Sequence, residues 1–350
     1  MKIFKIFISI IFIIYYLQSS ALELNNFPLK LTNDKNQIST IFYKRQEPLE
    51  DKTKICVLLP NVLDKYWWAV NYGISDESSH LNIEADIFDA GGYDNLDKQK
   101  EQFKYCINQK YDVIILSAIN STKLNDDIAL AKNEEIPVID LINGVDSNDI
   151  AARASLSFYE MGAITAKYLL AELKTKPIKK LKIAWFPGPK DATWVIEADK
   201  GFMETLKEYH KNIINAGFGA TDKEAQADLV RNFLLKNPDT NYIVGNAVAA
   251  DIAAKYFKIN KKKTKVLSFY MTESIYEHII SNDILAAASD FPTVQARISI
   301  NLVKEIIDNK AKFMQVSPFP NMIDKANIMQ IDKSMILPPD DYHYKIKNLK

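Results

Sequence analysis

From Lys54 onward the chain repeats one pattern: a short apolar run, apolar residues at helical spacing, then another apolar run. Residues 55–59, 83–88, 112–116 and 136–140 are the runs, with helical stretches at 70–81, 96–107 and 124–133 between them. Runs that are apolar on both faces suit parallel strands covered by helices on each side. The pattern restarts with a helix over 161–173. Strands are expected at 181–185, 212–216, 241–244, 265–269 and 284–287, and helices at 194–209, 223–235, 247–257, 274–280 and 293–308. The expectation is an α/β protein of two doubly wound parallel-sheet lobes. A length of 350 residues suits two lobes better than one core.

Residues 1–21 read as a secretory signal peptide. They carry Lys2 and Lys5, an apolar stretch over 6–17, and small residues at Ser19 and Ala21. That stretch is too short to span a bilayer, which takes roughly 20 residues. The mature chain is therefore expected in the periplasm, without membrane insertion. Lys and Arg number 44, as do Asp and Glu, so loss of the leader leaves a slightly acidic chain. Such a balance argues against nucleic acid as a partner. Residues 22–53 are polar without a sustained period and read as an N-terminal extension.

Cys56 and Cys106 are the two cysteines. An oxidising compartment allows them to pair, two buried thiols being the alternative. In a right-handed sheet of order 2-1-3, the helix between strands two and three crosses strand one in the opposite direction. Its end near Cys106 then lies over the start of the strand near Cys56, so a disulfide is expected. Two thiols without a His at ligand spacing do not make a zinc site.

In open parallel sheets, ligands bind beyond the carboxyl ends of the strands. Strand one leads to Tyr66 and Trp67, strand two to Gly91, Gly92 and Tyr93. In the second lobe the strand ends lead to Trp185, Trp194, Gly245, Asn246 and Tyr270. Three adjacent aromatics, Tyr66 to Trp68, cannot all face the core of one helix, since successive residues point about 100° apart. Trp67 and Tyr66 are expected to face the cleft and Trp68 to pack behind them or meet a partner. Trp185 ends an apolar strand and reads as core. Phe158 and Tyr159 lie where the chain enters the second lobe and are cleft candidates.

No GxSxG elbow, GK[ST] phosphate loop or HExxH pair occurs, and the four His are scattered. The expectation is a binding protein, not an enzyme, with no metal and no cofactor.

The segments "KICVLLPNVLDKYWWAVNYG", "AGGYDNLDKQKEQFKYC", "SFYEMG", "NYIVGNAVAA" and "LSFYMTESIYEHI" go further. Through them the chain resembles the type I periplasmic binding proteins, which are LacI-like, over roughly residues 54–310. The likeness is to the branch that senses trimethylamine N-oxide (TMAO) for a two-component system. It implies signal transduction by docking on the periplasmic sensor domain of a histidine kinase. It also implies lobe crossings near Ala154, Tyr270 and Phe313. The first lobe would be 54–153 plus 271–313, the second 154–270 plus 314–330, with a tail over 331–350. The implied ligand site is an aromatic cage of Tyr66, Trp67, Tyr93, Phe158 and Tyr270, with Asp290 nearby. The family carries Trp where this chain has Phe158. Aromatic faces attract a methylated ammonium by roughly 0.5–2 kcal/mol per ring. Two rivals stay open. One is an ABC-transporter receptor for a sugar or quaternary amine, with Arg153 and Asn246 as polar candidates. The other is a kinase-modulating protein that binds no ligand.

Overall fold

The computed structural model describes residues 24–175, 180–308 and 314–349; the expected signal peptide lies outside them. The chain opens with a hairpin, β1 (Pro28–Asn33) and β2 (Ile38–Phe42). The first alternating run follows as β3 (Thr53–Leu59), α1 (Tyr66–His80), β4 (Ile83–Asp89), α2 (Leu96–Asn108), β5 (Val113–Leu116), α3 (Asn125–Asn133), β6 (Val138–Leu141) and β7 (Ala152–Ala154). The second comprises α4 (Phe158–Thr175), β8 (Ile183–Phe186), α5 (Thr193–Thr205), β9 (Ile213–Asn215), α6 (Lys223–Lys236), β10 (Tyr242–Gly245), α7 (Ala247–Ile259), β11 (Lys265–Ser268), α8 (Glu273–Ile280) and β12 (Ala286–Ser289). The chain returns through α9 (Pro292–Ile307), β13 (Met314–Pro318) and β14 (Asn321–Asp324).

Two sheets result, in the orders β2-β1-β13-β7-β6-β5-β3-β4 and β14-β12-β11-β10-β8-β9. In each, the second strand of the run sits outside the first and the third inside, the expected 2-1-3 order. β3 and β5 are nearly continuous buried apolar runs, as strands covered on both faces must be. The expected two-lobed α/β fold is observed.

Two of the three crossings differ from expectation. The second crossing lies at residues 290–291, not at Tyr270. β12 pairs in parallel with β11, and a right-handed crossover through α8 keeps successive strands in one sheet. Residues 273–289 therefore belong to the second lobe. Met314–Pro318, expected there, is instead β13 of the first sheet, where it pairs antiparallel with β1. The third crossing is at residues 319–320, before β14 joins β12. The N-terminal extension thus ends as sheet: its hairpin had no visible period because β2 is an exposed edge strand. The tail also packs, binding α1 and β4 through Tyr342, Lys345 and Lys347.

The sulfur atoms of Cys56 and Cys106 are bonded, with 6.1 Å between Cα atoms, joining β3 to the last turn of α2. Both residues are fully buried.

Candidate ligand-binding site

The strand ends of the two lobes meet at a narrow cavity with about 310 Å³ of empty space. Tyr66 and Trp67 enter from the first turn of α1, and Tyr93 from the loop after β4. Gly91 and Gly92 turn that loop with φ of 83° and 145°, values that favour residues without a Cβ. Phe158 and Trp194 come from the first turns of α4 and α5, and Tyr270 from the end of β11.

These two helices lie unusually close. A Cβ on Gly162 would stand 2.0 Å from the Ala198 carbonyl oxygen, and one on Gly201 2.0 Å from that of Tyr159. The glycine contact fixes the spacing of the turns that carry Phe158 and Trp194, whose rings lie 6.1 Å apart. Trp194 also lies 6.3 Å from Tyr93 and 6.0 Å from Tyr270, edge to face with the latter. Tyr66 completes the box at 5.3 Å from Trp67 and 5.6 Å from Tyr270.

All five aromatics expected in the cage line this cavity. Asp290 does not. It lies at the second crossing behind Tyr66, accepting the Tyr66 hydroxyl and, at 2.7 Å, the Gln295 amide. Burial raises its carboxyl to about 6, an effect opposed by those two donors. Tyr159 turns outward to Glu204. Trp68 packs on the outside of α1, donating to the Val62 carbonyl at 2.9 Å. The Lys65 ammonium lies 3.2 Å from its ring centre, and the ring of Tyr344 packs beside it. Trp185 is core, stacked on Phe202 at 4.2 Å.

Asp64 and Trp194 were the larger omissions from the expected set. Asp64 stands two residues before α1 and accepts the Tyr66 backbone N–H at 3.0 Å, as an ordinary Asx-turn residue does. Only the fold shows that its other oxygen takes the Tyr270 hydroxyl at 2.8 Å across the cleft. Burial pushes its carboxyl up to about 6, against the pull of Tyr66, Tyr270 and Thr221. Trp194 was visible as a strand-end aromatic, but nothing in the sequence ranked it above Trp185. Its indole N–H leans toward the Tyr93 hydroxyl without meeting hydrogen-bond geometry, and the Thr221 hydroxyl is likewise unpartnered beside Asp64. Ile142, also in the lining, holds φ of 66°, rare for a β-branched residue and a mark of local strain at the site. Neither Arg153 nor Asn246 lines the cavity. Arg153 pairs with Asp140 at 2.7 Å, and Asn246 caps α7.

Residues 55–311 match the model of the periplasmic binding protein domain. The chain belongs to that family. Its members are typically non-enzymatic binding proteins. Periplasmic protein TorT of Escherichia coli K12 is 27% identical over 274 residues, 77% of this chain and 78% of TorT. Among solved structures, an ABC-transporter solute-binding protein of Bradyrhizobium sp. BTAi1 with bound Bis-Tris is 35% identical. Its TM-score is 0.77, covering 93% of this chain and 99% of that one. TorT in complex with the TorS sensor domain in the presence of TMAO is 25% identical with a TM-score of 0.71, covering 84% and 100%.

Proposed function

We propose that this protein is a periplasmic receptor for TMAO or a similar small methylated amine and reports it to a membrane sensor histidine kinase. The observation that carries the ligand class is the box of six aromatic rings, supplied by both lobes around one narrow cavity. A methylated nitrogen has no N–H to offer, so ring faces are the groups that can hold it. A sugar needs several convergent polar groups. Asn143 is committed to Tyr93 and to the Ala118 carbonyl, and among the described residues no Arg or Lys is in the lining. The kinase partner rests on the likeness to TorT, a protein solved in complex with the TorS sensor domain.

A second reading, receptor for an ABC transporter, is favoured by the Bradyrhizobium relative, whose bound Bis-Tris is a tertiary amine. Calorimetry of the mature protein with TMAO, tetramethylammonium, betaine and ribose tests the ligand class; ribose binding alone would reject it. Co-purification with the cognate sensor domain, with and without ligand, separates the two roles. Failure in both conditions favours the transporter reading.

A further inference from the structure

Asp64 is buried in the cavity wall with only neutral partners. Its oxygens accept from the Tyr66 backbone and the Tyr270 hydroxyl, and the Thr221 hydroxyl faces it. The titratable groups around it are Tyr66 of α1, Tyr93 after β4 and Tyr270 after β11. Burial holds all three hydroxyls well above their usual range, so none is charged near neutrality. Among the described residues no Lys, Arg or His pairs with Asp64, whereas the buried Asp140 has Arg153 and the buried Glu77 has Arg45 at 3.4 Å. Asp290, the other acid close by, is screened by the Tyr66 side chain that bonds to it. A buried carboxylate with no cation is costly to keep ionised.

The donors point the same way. Tyr66 and Tyr270 spend their hydroxyl protons on Asp290 and Asp64, so neither offers a proton to an oxide oxygen. The Thr221 hydroxyl faces Asp64, so an oxide oxygen drawn to it would lie against the Asp64 carboxylate. The Trp194 N–H and the Tyr93 hydroxyl, which accepts the Asn143 amide at 3.1 Å, remain, and suit a hydroxyl arm on a cation as well as an oxide.

Resting on the reading of the cavity as a methylated-amine site, we propose that its ligand is a net cation, a quaternary or protonated tertiary ammonium. Asp64 is its counter-charge and selects it over the neutral amine oxide. The rings cover the methyl groups and the carboxylate supplies the missing charge. Ligand binding then favours the ionised form of Asp64, which burial alone disfavours, so acid weakens binding of the cation, whereas protonating Asp64 removes its repulsion of an oxide oxygen and does not weaken the oxide.

Calorimetry of the mature protein with tetramethylammonium and with TMAO tests this. Tetramethylammonium is expected to bind about tenfold or more tightly than TMAO near neutral pH. Asp64→Asn should weaken the cation by about tenfold or more without weakening TMAO. In the wild type the cation's affinity should fall about tenfold between about pH 7 and pH 5 while that of TMAO does not fall. Tighter binding of TMAO by the wild type, or equal weakening of both ligands in a folded Asp64→Asn protein, overturns the proposal. If Asp64→Asn does not fold, the wild-type pH profile decides, and a level profile for the cation overturns it. Absence of binding by tetramethylammonium, choline and TMAO alike would instead reject the cavity reading, and this proposal with it.

Discussion

At the scale of single residues, the site separates groups that touch a ligand from groups that aim them. Trp67 is an interior ring of the box, and Trp67→Ala is expected to weaken binding of a methylated amine by about 1–3 kcal/mol, measured by calorimetry. Phe158 tests the departure that the resemblance implies. If the smaller ring is a tolerated exchange, Phe158→Trp should bind TMAO at least as well as the wild type. If the site is retuned to a bulkier cation, the indole should cost that cation affinity. Asp64 and Asp290 share a second consequence. Their carboxyls stand at about 6 in the folded protein, above the ordinary 3.8, so the native state holds protons that the unfolded chain releases. Stability from these two groups is therefore largest at low pH and falls as pH rises from about 4 through 6. Each costs on the order of 3 kcal/mol at neutrality. His278, raised by Asp251 and then by Asp283, acts in the same sense near its own titration. The ligand-free protein should melt higher at about pH 5 than at pH 7 by calorimetry. Asp290→Asn, which keeps an acceptor for Tyr66, should flatten that slope.

At the scale of elements, two ties hold the first lobe. The Cys56–Cys106 bond closes a loop of 50 residues between β3 and α2. In the chain-entropy model such closure stabilises by about 4 kcal/mol, so a Cys56→Ala, Cys106→Ala double variant should lose roughly that amount in urea denaturation. The second tie is the tail. Asn71 of α1 exchanges bonds with the backbone of Lys345 and accepts the Tyr342 hydroxyl, while Lys347 donates its backbone N–H to Ile87 at 2.7 Å and pairs with Asp86 at 2.6 Å. These contacts grip the helix whose first turn supplies Tyr66 and Trp67. A chain ending at Pro339 should lose about 0.5–1.5 kcal/mol of stability in urea for each lost bond, and bind ligand more weakly.

At the scale of the whole molecule, the lobes are joined across the cleft as well as through the three crossings. Asp64 of the first lobe accepts Tyr270 of the second at 2.8 Å, and Lys30 of β1 lies 3.6 Å from Glu160 of α4. The exposed ion pair is worth little in water. The buried hydroxyl bond is the stronger latch. Tyr270→Phe keeps the ring and removes the bond, so the ligand-free variant should show a larger radius of gyration by small-angle scattering. Saturating ligand should restore the compact value. Hinge closure is the main freedom of two lobes joined by short crossings.

The alternation of apolar runs with helical spacing determined the two-lobed fold, because strands covered on both faces leave a local signature. The same local logic placed Tyr66, Trp67, Tyr93, Phe158 and Tyr270 at strand ends and a crossing, where the cavity lies. Lobe membership past Tyr270 was a different matter. Ala286–Ser289 could pair with either sheet, and only the partner strand β11 decided it. The hairpin of residues 28–42 was hidden because its edge strand faces solvent and needs no alternation. Asp64 shows the limit most clearly. In sequence it is a polar residue before a helix, indistinguishable from an exposed cap. Its burial and its bond to a tyrosine 206 residues away arise only when the lobes close, since charge cost depends on what surrounds a group and not on its neighbours in the chain.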